Sequence, residues 1–252
     1  MRHIPGMGIL AFLPDYLHTK HLGVDAQFVA AVLWALITLI MPGDVNANLD
    51  ILWDEIKDLY KTTHTANRLG VSTRNMIKKA GNPFPCLSAR RCQIRDFLPI
   101  MIKTLKKHMD AGNAAHRDML FGLTASWAIE ETLIRCKRMF SLPAEEAEKL
   151  NKNCILVCKC IASLTKGASE FKHMFNFTIK THSLLHFGEC AKYINPQLGS
   201  CFDGEMWMVV VRKLVQGVGR GSKPIVISNN ALLRFVHGLG HELRHPEWQW
   251  RS

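Results

Sequence analysis

The sequence is short of acidic residues, of strand signals and of apolar runs long enough to span a bilayer. Asp and Glu total 21 against 32 Lys and Arg, giving a formal charge of +11 and a pI near 9.4. That deficit excludes an acidic, solvating chain. It favours a polyanionic partner, nucleic acid being the commonest and an acidic membrane surface the rival. No strand-rich region is present, so the expected fold class is mainly α, a multi-helix bundle with little or no sheet. No internal repeat or low-complexity segment occurs. The opening residues MRHIPGMGILAFLPDY lack the apolar core and cleavage site of a secretory leader, so an intracellular protein is expected. The most apolar stretch, 28–41, FVAAVLWALITLIM, is uncharged but shorter than the ~20 residues a spanning helix needs. It reads as a buried core helix, with no membrane partner.

Disulfide scaffolding is missing too. The eight cysteines fall largely inside apolar helical patterns, as reduced, buried thiols do. Cys154 and Cys158 share a helix face, but Cys160 points away from them, so a zinc cluster is not expected there.

What is present is a large apolar fraction, 48% of residues, enough for a substantial core. The chain reads as one helical domain over 1–252. Residues 1–24 form a leading segment. Residues 25–166 form a helical region with a basic, irregular stretch at 65–92. Residues 167–244 form His- and Glu-bearing helices, and 245–252 a frayed tail. Asp25 is the expected N-cap of a helix running to about Met41, and Pro42-Gly43-Asp44 breaks it. Helical spacing then predicts helices at about Asn48–His64, Ser72–Lys79, Cys92–Met109 and Ala114–Phe140. Others follow at Pro143 to about Thr165, Ser169–Ile194, Phe202–Val218 and Asn229–Arg244. Pro99 is expected to kink or restart its helix.

Several motifs carry chemistry. Lys78, Lys79, Arg90 and Arg91 make 65–92 strongly basic: either a solvated loop or a strip that binds phosphate by releasing counterions. VGRGSKP is not a Walker loop, because Lys follows Ser and Pro comes next; it leaves Arg220 and Lys223 able to touch phosphate. His237, His241 and His245 recur every four residues, but Glu242 is misplaced for a metalloprotease helix and Gly238 and Gly240 weaken it. His182 and His186 share a helix face and suit a metal, a phosphate or a buried hydrogen-bonded pair; Lys180 beside them tilts the reading towards phosphate. Asp15 and His18 form Asp-x-x-His, readable as a helix cap beside a core histidine.

Taken in order, PDYLHTKHLG, KTHSLLHF and FDGEMWMVVVRKL resemble motifs in the distal half of eukaryotic cut-and-paste DNA transposases with a DDE, RNase H-like core, the CACTA-like group among them. The chain resembles transposon-like open reading frames of protist genomes more closely still. The resemblance spans roughly residues 10–243. It implies that Asp15 and His18 match an Asp-x-x-His motif, that His182 and His186 line the site, and that Glu205 is the last metal-binding carboxylate. It implies catalytic roles for Asp15, His18 and Glu205, with Mg²⁺ held by Asp15 and Glu205. DNA, or alternatively RNA, would be bound through Lys78, Lys79, Arg90, Arg91, Lys180, His182, His186, Arg212, Arg220 and Lys223, in the nucleus. The strands bearing the first two catalytic aspartates have no counterpart before Asp15. The expectation is therefore a fragment that binds nucleic acid and does not cleave it alone. The alternative is a non-catalytic α-helical protein-interaction module.

Overall fold

A computed structural model of the chain describes residues 14–70, 73–167, 171, 173–200, 226, 232 and 233. The chain divides into two compact units, Met1–Ser200 and Cys201–Ser252. In the second, the described Val226, Leu232 and Leu233 are helical and exposed. The expected helices at 202–218 and 229–244, with Glu205, Arg212, Arg220, Lys223, His237, His241 and His245, otherwise lie outside the described residues.

Among the described residues every regular element is helical, as expected of a mainly α bundle. The first unit is arranged around one apolar helix, α1, at Leu17–Ile40. Its middle, Ala26–Ala35, is α-helical; both ends, Leu17–Asp25 and Leu36–Ile40, are wound as wider π turns. Asp25 is not the N-cap that the sequence suggests. Its backbone is helical (φ −65°, ψ −43°), and the helix starts eight residues earlier. Within the polar run His18–His21, His18 meets Asp15 and Lys20 meets Asp25 locally, while Lys20 also reaches Ser126 and Glu130 a hundred residues on. At 24 residues, α1 is long and apolar enough to cross a membrane, but 78% of its most apolar window is buried inside the bundle.

Around α1 pack α2 (Val45–Thr63), the short α3 (Arg74–Ile77), α4 (Arg91–His108), α5 (Ala114–Arg135), α6 (Ala144–Lys166) and α7 (Ile179–Cys190). A 3₁₀ turn, Pro196–Gly199, follows. Asp44 caps α2, its carboxylate accepting from the backbone N–H groups of Asn46 and Ala47. Asn113 does the same for α5. Glu145 and Glu146 sit in the first turn of α6, where the helix dipole favours negative charge. Pro99 lies inside α4, which nonetheless runs through it as one element. Helix α7 starts about ten residues later than its apolar pattern suggests, because Phe171 and Phe175 are buried from irregular backbone ahead of it.

Two buried asparagines close the turns. Asn48 donates to the carbonyls of Ile37 (2.9 Å) and Met41 (3.2 Å), fixing the α1–α2 corner. Asn195 donates to the carbonyls of Cys136 and Met139, both at 2.9 Å, tying the segment after α7 to the end of α5. Buried donors placed this way satisfy carbonyls that helix ends leave orphaned. The cysteines at 86, 92, 136, 154, 158, 160 and 190 are free thiols.

Candidate functional site

The widened first turns of α1 put Tyr16, Lys20, His21 and Asp25 on one face, against Ser126 and Glu130 of α5. All of it is buried: Lys20 and His21 are 0% exposed, Asp25 and Glu130 1%. The Lys20 ammonium donates to Asp25 Oδ2 at 2.6 Å and Ser126 Oγ at 2.9 Å. It also lies 2.9 Å from Glu130 Oε1, an ion contact without hydrogen-bond geometry. Tyr16 donates its hydroxyl to Glu130 Oε2 at 2.6 Å, and Ser126 donates to Asp25 Oδ1. His21 sits between the carboxylates with neither ring nitrogen hydrogen-bonded. Its Nδ1 is 3.6 Å from Asp25 Oδ2 and its Nε2 3.7 Å from Glu130 Oε1.

The charges hold one another in place. Burial opposes the Lys20 charge, yet Asp25 and Glu130 outweigh it and keep the ammonium above the usual lysine range. Burial raises both carboxylates, but Lys20 and His21 pull each below its usual value. Burial, then Glu130, pushes the Tyr16 hydroxyl well up.

Donor atoms of His21, Asp25 and Glu130 lie within 4.8 Å of one another, a metal-like grouping. It does not fit Mg²⁺. The position between the two carboxylates is taken by the Lys20 ammonium, and a doubly charged ion would have to expel that proton from a site closed to water. The cluster is a structural ion network, in which Lys20 is the cation.

Asp15 and His18 stand apart from that network, at the rim of the helix start. Asp15 accepts from the backbone N–H groups of Leu17 (3.2 Å) and His18 (3.1 Å), and its carboxylate meets His18 Nδ1 in a short contact. Asp15 therefore caps α1, and His18 is exposed (48%) where a core histidine was one reading. Glu205, which the resemblance pairs with Asp15 around Mg²⁺, lies outside the described residues.

Helix α7 packs antiparallel to this start. Tyr16 stacks on Phe187 (5.5 Å between ring centroids), and at the other end a Cβ on Gly23 would fall 2.7 Å from Lys180 Cδ. The two motif segments, residues 14–23 and 180–187, are thus side by side. Lys180 donates to the Leu22 carbonyl at 3.3 Å. His182 and His186 are exposed and paired, Nε2 to Nε2, at 3.0 Å. The Arg91 guanidinium covers the Tyr16 ring at 5.8 Å.

The basic stretch is a built surface. From Leu59 to Arg95 the sequence holds no acidic residue, while Lys61, Arg68, Arg74, Lys78, Lys79, Arg90, Arg91 and Arg95 all fall within it. Its backbone is pinned by Cys86 and Ser88 N–H donating to the Ile77 and Met76 carbonyls, and Leu87 N–H to that of Ala26, each at 2.9 Å. Ile77 and Leu87 are buried beneath. On this frame the Arg74 guanidinium and the Lys78 ammonium both sit 5.4 Å from the centroid of the half-buried Trp34 ring. Arg74, Lys78 and Lys79 then rim an open cavity of about 330 Å³ over Trp34, closed by Asn75, Gly81 and Asn82. Trp34 is the residue that sequence reasoning missed: it lies inside the apolar run and carries no mark of reaching the surface.

Compared with known proteins, the chain matches no family model, no curated protein and no solved structure.

Proposed function

We propose that the Met1–Ser200 unit binds nucleic acid through the basic surface over Trp34, and that the chain derives from the distal half of a DDE-type transposase without retaining strand cleavage of its own. The observation that carries the binding reading is the Trp34 cavity: two cations held on an indole face, inside a stretch without a single carboxylate. Cations of this kind bind phosphates by displacing counterions. An aromatic floor with arginine and lysine around it suits a splayed base or sugar beside the phosphate. The net charge of +11 supports a polyanion over a neutral ligand. The transposase ancestry rests on the motif resemblance, supported by the lateral packing of the two motif segments. The loss of cleavage is part of the same proposal, and a metal-dependent nicking assay of the whole chain with Glu205→Ala as control tests it.

The test is salt-dependent binding of fluorescent single- and double-stranded oligonucleotides to the whole chain. Lys78→Ala with Lys79→Ala should weaken binding and flatten the slope of log K against log salt by about 1.8 for duplex, or about 1.4 for single strands. An unchanged slope in both would overturn the assignment of this surface.

A further inference from the structure

We infer that His182 and His186 form a binding site for a divalent transition-metal ion of the zinc class on the exposed face of α7. The two Nε2 atoms face each other at 3.0 Å, with the rings at 88° to one another. Nitrogen ligands sit ~2.0–2.1 Å from such a metal. Two of them on one ion are then about 2.9 Å apart at a right angle and about 3.4 Å apart at the tetrahedral angle. The observed spacing falls between these values, so an ion needs almost no rearrangement to be held.

The pair is pre-set by its scaffold. Thr181, Leu184, Phe187 and Gly188, on the other side of α7, are buried. Gly188 lies close against α6, where an added Cβ would come within 2.7 Å of Asn151 Oδ1 and 3.0 Å of Cys154 Cβ. The four-residue spacing is thus locked by packing and does not depend on the metal. Behind the second ligand, Glu189 Oε2 lies 3.5 Å from His186 Nδ1. That ion contact falls short of a hydrogen bond; drawn closer, the carboxylate would accept the Nδ1 proton and leave Nε2 as the donor, the usual second contact of a metal-bound imidazole. His182 reaches the same state when its proton moves to Nδ1 through solvent; no net proton is released while both rings are neutral. Two imidazoles select zinc, copper or nickel over magnesium or calcium. With two protein ligands the remaining positions are open to water, so the site is weak and exchangeable. Unlike the His21 cluster, it has no lysine in the metal's place.

The chain has 12 histidines, so location must be read along with affinity. Zn²⁺ is titrated into the full chain while the ¹H–¹⁵N correlations of the histidine rings are followed. The His182 and His186 Nε2 resonances should shift first and together. His182→Ala and His186→Ala, both exposed substitutions, should each abolish it. Glu189→Gln should weaken it by about tenfold. If other rings respond first, or if the double alanine variant binds Zn²⁺ as tightly as the parent, the proposal is wrong.

Discussion

At the scale of single residues, Lys20 decides most. It is an ammonium without water, between two carboxylates on different helices. Removing it leaves Asp25 and Glu130 buried, adjacent and uncompensated, and such losses cost about 3–5 kcal/mol. Lys20→Ala should therefore lower the stability measured by urea unfolding by that amount, whereas Lys57→Ala, on an exposed ion pair of α2, should change it by less than about 1 kcal/mol. The same network sets a pH window. Asp25 and Glu130 titrate lower when folded, so their contribution is complete above the unfolded carboxylate range and is lost as pH falls through the folded values. Lys20 titrates higher when folded, so its contribution is complete below the unfolded lysine range and is lost as pH rises through the folded value. Melting temperature against pH should show a plateau falling at both ends, and Lys20→Met should lessen the alkaline fall without removing it, because the Tyr16 hydroxyl also titrates higher when folded. None of this was legible in the sequence. Nothing in the motifs singles out Lys20 or His21, and only the fold reveals that Glu130, in the middle of an amphipathic pattern, faces inward. The exposed His pair was legible as a spacing; its exposure was not.

At the scale of elements, the readable parts were those whose sequence carries a period and a cap. Helices α2, α4 and α6 show one apolar stripe each, and α6 begins after Pro143 with Glu145 and Glu146 in its first turn, where the sequence puts its start. The unreadable parts were the ends of α1, where π turns place side chains on faces that a 3.6-residue period does not predict, and the segment before α7, where phenylalanines fill the core from irregular backbone. The element contacts are close enough to test with a methyl group. A Cβ on Gly122 of α5 would lie 2.5 Å from Phe28 Cζ and 2.7 Å from Phe28 Cε1. Gly122→Ala gains about 1 kcal/mol of helix propensity, but displacing a buried ring costs about 1–3 kcal/mol. The net expectation is a loss of up to about 2 kcal/mol in urea unfolding. Gly70→Ala, with nothing within 4 Å, should be neutral or slightly stabilising. Burial pushes the Cys158 and Cys160 thiols on α6 up to about 12 and about 11, and Cys154 higher still. These three should resist iodoacetamide at neutral pH in the native chain and react only after unfolding, as followed by mass spectrometry.

At the scale of the molecule, charge and fold are arranged separately. The net positive charge was plain from composition, and the bundle class from the absence of alternating patterns. Which positive residues gather was hidden, because Trp34 belongs to one helix and its cations to the short α3 and its C-cap, forty residues on. Exchanging Trp34 for Leu should preserve the melt and reduce oligonucleotide affinity several-fold, more for single strands than for duplex, since stacking on an aromatic is worth about 1–3 kcal/mol per base.

The buried charges of α1 also do something that apolar packing cannot. From Phe28 to Ile37 almost every side chain of that helix is covered, on all sides. A rod that is oily all round gains nearly the same burial at any angle of rotation. The ammonium between its two anions is the notch that picks one angle. If Lys20, Asp25 and Glu130 were exchanged together for Met, Leu and Leu, we expect the chain to stay helical and melt no lower, as buried ion triads elsewhere allow, while its amide spectrum blurs into several coexisting settings of the same rod.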